Sequence, residues 1–271
     1  MPGATDLDHN DGGSQSAHVR PELMRIAVQV ARSAGALVAE RRGQARTSVS
    51  TKSSPTDMVS EVDRASEALV LRLLSELRPD DAVLGEEGTE VTGTSGVRWV
   101  VDPLDGTTNF LYDFPSFGVS VAAEVDGVAV AGAVCDPVHG EVFSAARGLG
   151  AWRGDQPLTV AAPVPLANAL VGTGFSYRAA KRIEQAATLG RVLPKVRDIR
   201  RAGAAALDLC WLAAGRVDAY YEWGLGRWDW AAGLLIATEA GRRSVWLDDG
   251  TLVATSPEML DELVALVQVP G

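Results

Sequence analysis

Trp99-Val100-Val101-Asp102-Pro103-Leu104-Asp105-Gly106-Thr107-Thr108-Asn109-Phe110 runs from a strongly apolar segment straight into acids and hydroxyls. Trp99–Val101 reads as a short strand. Asp102 and Asp105 stand three apart, with Pro103 between them and Gly106 behind, so the chain must turn sharply and crowd the two carboxylates. Like charges that close destabilise each other unless one takes a proton or a cation sits between them. Asp and Gly alone would mark an ordinary surface turn. Here the acids follow an apolar run, hydroxyls follow the acids, and Gly85-Glu86-Glu87-Gly88 closes the preceding strand. Turn chemistry requires none of that.

The donors on offer are hard oxygens: the carboxylates of Glu86, Asp102 and Asp105, and backbone carbonyls such as that of Leu104, with no Cys or His nearby. Such a set suits Mg²⁺, or Mn²⁺ in its place, over Zn²⁺ or iron. An ion held by few carboxylates keeps positions for water and a phosphate oxygen, and two ions can clamp a displacement at phosphorus. Backbone N–H groups at Gly106 and Thr107, where a helical turn is expected to begin, can receive a phosphate oxygen. No Ser-His or Cys-His arrangement suggests a protein nucleophile, so direct attack by water is the expected chemistry.

Outward from this stretch, helical spacing of Leu23, Ile26, Ala27, Val30, Ala34, Leu37 and Val38 predicts a helix from Pro21 to Arg42, and another is expected over Asp63–Leu77. Between them lies the polar loop Thr51–Asp57. Strands are predicted at Ala82–Leu84, Phe117–Val125, Val128–Val134 and Glu141–Ala145, with turns at Asp126-Gly127 and His139-Gly140. Beyond Leu166, strands at 169–173, 196–199 and 217–222 alternate with helices at 179–193, 204–214 and 229–240, and a last helix spans 257–267. This predicts a disordered tail over 1–20 and two packed α/β halves, 21–155 carrying most of the acids and 156–271 completing a pocket.

The 271 residues, 46% of them hydrophobic, suffice for a large core. Lys and Arg number 25 against 35 Asp and Glu, a net charge of −10, which argues against nucleic-acid and anionic-membrane partners. The two cysteines, Cys135 and Cys210, lie in apolar stretches and are expected to be buried thiols in a reducing cytoplasm. No apolar run is long enough to span a bilayer.

A further acid, Asp229, stands between Trp228 and Trp230 at the expected start of a helix, where an N-cap is its simplest role and a ligand role is compatible with it. Trp223, Trp228 and Trp230 are candidate pocket walls, and Glu222 ends a strand seven residues before Asp229. Gly172-Thr173-Gly174 and Gly148-Leu149-Gly150 lack the third glycine of a dinucleotide fingerprint, and no Gly-x-x-x-x-Gly-Lys-[Ser/Thr] loop occurs.

Together, Gly85-Glu86-Glu87, the Trp99–Phe110 stretch and Trp228-Asp229-Trp230-Ala231-Ala232-Gly233 resemble, in order, the signature motifs of the inositol monophosphatase family. Lys52–Asp63, Gly203–Asp208 and Tyr220–Glu222 are similar to further stretches of that family, so the resemblance spans roughly residues 22–268. It implies a layered α/β/α/β/α sandwich of the inositol monophosphatase and fructose-1,6-bisphosphatase type, Mg²⁺ dependence, lithium sensitivity, a homodimer, and hydrolysis of small phosphate monoesters, myo-inositol monophosphate first. Carried over by position, it makes Glu86, Asp102, the Leu104 carbonyl, Asp105 and Asp229 metal ligands, and gives Glu86 and Thr107, bonded to Asp63, the task of holding and activating water. Gly106 and Thr107 would bind phosphate, while Asp105, Ser176, Gly203, Ala205 and Glu222 would meet the organic part. Position 204 is Ala where many inositol-preferring relatives carry Thr. Alternatives are a histidinol-phosphate phosphatase, or another small phosphate-ester phosphatase, with the same metal core, and a regulatory dimer that binds metal without turnover.

Overall fold

The computed structural model describes residues 15–42, 49–51, 58–159 and 162–268. Among them the chain runs α1 (Gln15–Glu40), β1 (Val49–Thr51), β2 (Met58–Ser60), α2 (Glu61–Leu77), β3 (Ala82–Gly85), β4 (Glu90–Val91), β5 (Val97–Asp105) and α3 (Thr107–Leu111). β6 (Gly118–Val125), β7 (Val128–Asp136), β8 (Glu141–Ala146), β9 (Gly150–Arg153) and β10 (Gln156–Pro157) follow as a meander. The second part holds β11 (Leu170–Thr173), α4 (Ala179–Val192), β12 (Asp198–Arg200), α5 (Ala205–Ala213), β13 (Ala219–Trp223), α6 (Arg227–Glu239), β14 (Arg243–Trp246), β15 (Thr251–Thr255) and α7 (Leu260–Val267).

β5 lies inside a sheet of order β10-β9-β8-β7-β6-β5-β3-β4, parallel to β3 and antiparallel to β6. Of its residues only Arg98 is exposed, because both faces are covered. Pairing with β6 slips between Asp102 and Asp105. Pro103 has no N–H for the ladder, so the strand bends there and delivers its acids to its C-terminal end. The second sheet, β12-β11-β13-β15-β14, is built wholly from the later part of the chain.

Three apolar clusters define five layers. Leu23, Ile26, Val30 and Val38 of α1, with Val70 and Leu74 of α2, pack on one face of the large sheet against Trp99, Val101 and Val121. On its other face Val100, Ala122 and Val134 meet Leu207, Leu209 and Leu212 of α5 and Leu235 and Ile236 of α6, and the same cluster reaches Tyr220 and Leu252 of the small sheet. Val171, Val253, Leu263 and Val267 fill the outer layer under α7. This is the α/β/α/β/α sandwich, with α5 and α6 shared between the sheets; the two halves have a common middle layer.

Several expectations need correction. α1 starts at Gln15, so Pro21 lies inside the helix and not in its first turn, and residues 15–20 are helical where a tail was expected. A proline there removes one helical hydrogen bond, and the burial of Leu23, Ile26 and Ala27 just beyond it sustains the helix. Residues 1–14, and the loop positions Lys52-Ser53-Ser54-Pro55-Thr56-Asp57, lie outside the described residues. The hairpin β14–β15 and the short β4, β9 and β10 were not anticipated.

Candidate active site

A cleft of ≈ 460 Å³ opens where the end of β5, the start of α6 and the loops of the small sheet meet. Glu86, Asp102, Leu104, Asp105, Gly106, Thr107, Ser176, Gly203, Ala205, Glu222 and Asp229 all line it. Asp63 stands behind this wall.

Each acid is placed by backbone geometry. Glu86 donates its N–H to the Val101 carbonyl at 3.1 Å, extending the β3–β5 pairing and setting Glu86 beside Asp102. Asp102 Oδ1 accepts the Leu104 N–H at 3.0 Å, which closes the turn around Pro103. Asp105 accepts the N–H groups of Ala205 and Ala206 at 3.2 and 2.7 Å, so the first turn of α5 is tied to the end of β5. Gly106, at φ 86, takes the left-handed conformation and starts α3. An added Cβ there would lie 2.9 Å from the Ser116 carbonyl. Asn109 ties this corner to the second half by donating Nδ2–H bonds to the Ser116 and Ala202 carbonyls at 2.6 and 2.8 Å.

Asp229 is not the N-cap. Gly226 holds that position, and Asp229, three residues on, accepts the Gly226 N–H at 2.6 Å, the returning half of a capping box. Arg227 anchors the helix start, donating Nε–H to Glu124 Oε1 at 2.5 Å and another N–H to the Gly127 carbonyl. Glu124, fully buried, also accepts from Arg98 Nη2 at 2.6 Å.

Thr107 Oγ1 donates to Asp63 Oδ1 at 2.8 Å, with the Leu104 carbonyl 3.1 Å away. Asp63 lies in the first turn of α2, fully buried. The pairing joins residues 44 apart in sequence. Glu222 faces the cleft, not solvent: Tyr220 donates its hydroxyl to Glu222 Oε2 at 2.6 Å, and the carboxylate lies over the Cα of Gly174, where a side chain would collide with it.

Asp102 and Asp105 are 1% and 7% exposed. Burial, then the nearby charges of Glu86, Asp105 and Asp229, push the Asp102 carboxyl well above the usual carboxylate range. Burial raises Asp105 to about 7 against the opposing pull of the Ala206 N–H, and burial followed by Asp105 and Glu86 raises Asp229. None of the three forms a salt bridge with Lys or Arg among the described residues. Nor, among those residues, do three His, Cys, Asp or Glu side chains converge as a ready-made coordination sphere. The donor chemistry nevertheless fits a hard divalent cation: oxygen ligands only, held at one cleft, with Asp102, Asp105 and Asp229 made costly to ionise by burial and by the neighbouring charges. Positive charge is what the cluster lacks.

Other placements differ from the sequence reading. Trp223 and Trp228 line the cleft, whereas Trp230 packs on Trp246 with ring centroids 5.2 Å apart. The Ala205 N–H is engaged by Asp105, and the Gly203 carbonyl accepts from Asn109 at 3.3 Å. Arg178 and Arg201, absent from the candidate set, also line the cleft. As exposed arginines in loops they carry no spacing signal. Cys135 and Cys210 are free and buried, and no described helix is long and apolar enough to cross a membrane.

Comparison with known proteins agrees with this architecture. The model of the inositol monophosphatase family matches residues 20–269. A Mycobacterium leprae protein named inositol-1-monophosphatase is 47% identical over 274 residues, covering 92% of this chain and 94% of its own. A Pasteurella multocida protein named Nus factor SuhB is 39% identical, covering 91% and 96%. The crystal structure of the extragenic suppressor protein suhB from Bartonella henselae superimposes with a TM-score of 0.86 at 36% identity, over 91% of this chain and 98% of that one. The buried acids at the end of β5, the Thr107–Asp63 pair and these matches lead to one conclusion: the chain belongs to the inositol monophosphatase family and is a phosphatase of that superfamily.

Proposed function

We propose that the cleft hydrolyses phosphate monoesters of small polyols, with myo-inositol monophosphate as preferred substrate, by direct attack of water on phosphorus in the presence of Mg²⁺, for which Mn²⁺ can substitute. The observation that carries this reading is the 2.8 Å Thr107–Asp63 bond beside a cluster of buried acids. A protein that only bound metal would need no such pair.

Glu86, Asp102, the Leu104 carbonyl, Asp105 and Asp229 are the residues that would hold divalent ions. Bound there, such ions supply the positive charge that admits a phosphate dianion and lower the cost of deprotonating water. Thr107 donates its hydroxyl hydrogen bond to Asp63, so its oxygen lone pairs are turned to accept from an attacking water, and the Glu86 carboxylate is the second acceptor that would fix that water's orientation. The Gly106 and Thr107 N–H groups, at the start of α3, meet a phosphate oxygen. Ser176, whose Oγ accepts the Arg178 N–H at 3.1 Å, keeps a hydroxyl hydrogen to donate, and Glu222 accepts from ring hydroxyls. Catalysis is thus positioning plus electrostatics. Family membership extends the proposal to lithium sensitivity, a homodimer and a cytoplasmic setting.

The test is phosphate release from inositol 1-phosphate, histidinol phosphate, a sugar bisphosphate and a phosphoadenosine nucleotide, with Mg²⁺ and with EDTA. Inositol 1-phosphate is expected to give the highest kcat/KM, and EDTA to abolish release until Mg²⁺ is restored. Full activity in EDTA overturns the mechanism. A preference for histidinol phosphate overturns the substrate and leaves the mechanism standing.

A further inference from the structure

We infer that Gly174 is a specificity-determining position: Gly172, Gly174 and Tyr220 form a rest on which the Glu222 carboxylate lies, and that rest makes the cleft select monoesters whose organic part carries hydroxyl groups. The inference rests on the phosphatase reading above and deepens it. Glu222 is the acceptor that meets the organic part, and these three residues decide where it stands.

β11 and β13 run parallel, with Gly172 opposite Tyr220 and Thr173 opposite Tyr221. Opposite residues of neighbouring strands share a face, as do residues two apart on one strand. Gly172, Tyr220 and Glu222 therefore share the face turned to α5 and the cleft, and Gly174 continues it just past β11. The pair Gly172-Thr173-Gly174 is no dinucleotide fingerprint, yet both of its glycines have a use. Neither has a positive φ, so the backbone itself does not call for glycine at either place. Space does. A Cβ on Gly172 would lie 3.2 Å from Cδ2 of Tyr220 and 3.6 Å from Oδ1 of Asp208, and one on Gly174 would run into both carboxylate oxygens of Glu222. The bare backbone is a trough that takes first the Tyr220 ring and then the Glu222 carboxylate.

That carboxylate needs holding. Burial and then nearby charges, that of Glu222 among them, push up the carboxyls of Asp105 and Asp208, so Glu222 stands among acids that repel it. Burial raises Glu222 as well, while two groups pull it back: the fully buried Tyr220, whose hydroxyl donates to Oε2 at 2.6 Å, and Arg201, folded over Gly203. Among the described residues the Tyr220 bond is the one hydrogen bond Glu222 accepts, which leaves Oε1 for a ligand hydroxyl. The strand end is fixed on its far side too. Trp223 Nε1 donates to the Asp249 carbonyl at 2.7 Å, and the Arg178 guanidinium carbon lies 5.4 Å from the centroid of the Trp223 ring. A side chain at position 174 meets the tip of a flexible side chain and no backbone, so Glu222 can swing off while the fold stays. Gly174→Ala thus moves the acceptor without removing it, and its effect is confined to ligands that use the acceptor.

The test is a double-mutant cycle, read as the ratio of kcat/KM on inositol 1-phosphate to that on cyclohexyl phosphate, the same ring without hydroxyls, in Mg²⁺. Wild type is expected to favour inositol 1-phosphate. Gly174→Ala should lower the ratio about tenfold or more, the scale of a hydrogen bond to a charged group, through a raised KM with kcat little changed. Tyr220→Phe keeps the ring and should lower the ratio several-fold. In a Glu222→Ala background, where no carboxylate occupies the trough, Gly174→Ala should add no further loss. Should Gly174→Ala fail to fold, Tyr220→Phe paired with Glu222→Ala makes the same cycle. Losses that multiply in the double variant, equal losses on both esters, or an unchanged ratio in the single variant overturn the rest. A wild type with no preference for the hydroxyl-bearing ester overturns the polyol reading together with it. If neither ester is hydrolysed, the phosphatase reading has failed, and calorimetric titration with inositol 1-phosphate in Mg²⁺ reads the rest alone. Binding weakened about tenfold by Gly174→Ala only where Glu222 is present supports it, and any other pattern overturns it.

Discussion

At the inner end of the cleft, Asp102, Asp105 and Thr107 come from one turn of chain at the end of β5, whereas Phe175 and Arg178 reach its outer end from the connection after β11, Arg201 from the one after β12, and Trp223 from the end of β13. The inner residues are buried and locked by backbone hydrogen bonds from Leu104, Ala205 and Ala206. Outside, Arg178 and Arg201 are exposed and held by a ring and a glycine. Changing an inner residue disturbs the strand, the turn and two helices together. An outer residue can be exchanged with little else moving, the condition under which substrate choice can change while the inner end stays fixed.

The largest effect that could break this contrast concerns Asp102. Asp102→Asn keeps an acceptor for the Leu104 N–H and removes one buried charge. It is expected to lower kcat/KM by about 10³-fold on every phosphate ester. It should also raise the melting temperature of the metal-free protein. The sign follows from linkage: a carboxyl whose folded-state pKa is raised loses stability as pH climbs above its unfolded value, and the uncharged amide escapes that loss. The gain should therefore be present at neutral pH and vanish near pH 3, which a melting series across pH reads directly. A strongly destabilised Asp102→Asn would show that the acid end is held by its charges.

Thr107→Ala comes next. Removing the hydroxyl that bonds Asp63 should lower kcat by about 10²-fold, the scale of a lost proton-handling group, with little change in KM. Steady-state kinetics on inositol 1-phosphate check it, and an unchanged kcat would remove Thr107 from the water-orienting role.

The smallest effect sharpens the contrast at the boundary between the ends. Glu222→Gln should cost inositol 1-phosphate about tenfold in kcat/KM and leave p-nitrophenyl phosphate, which offers no ring hydroxyls, nearly untouched. Equal losses would move Glu222 into the inner, catalytic set.

The same division governs what could be read in advance. Trp99–Phe110 spells out strand, turn and acids in adjacent letters, and helical periodicity revealed α2, α4, α5 and α6 to within a few residues. Asp63 was readable only through resemblance, since its partner Thr107 is 44 positions away. Arg178 and Arg201 gave no signal, because a loop arginine acquires meaning only from the groups that tertiary structure sets around it. The hairpin β14–β15 was missed although Asp248-Asp249-Gly250 marks its turn: β14 is mostly exposed and shows no clean alternation. Pro21 misled for the opposite reason, a strong local rule overridden by the apolar face that α1 buries against the large sheet.

The bonds from Ala205 and Ala206 to Asp105 span 100 and 101 positions of chain. Considered in time, this places the cleft at the end of folding, since closing so long a loop must precede any reward from it. A nascent chain lacking α5 and α6 has the complete large sheet and most of its acids, but an unfinished cleft. No fragment ending before Asp229 holds the full set. Divalent ions held as proposed would therefore act on the finished protein, stabilising it by mass action. Its heat resistance would then be a function of divalent-ion concentration, and a cell short of that ion would hold the same chain in a less durable form.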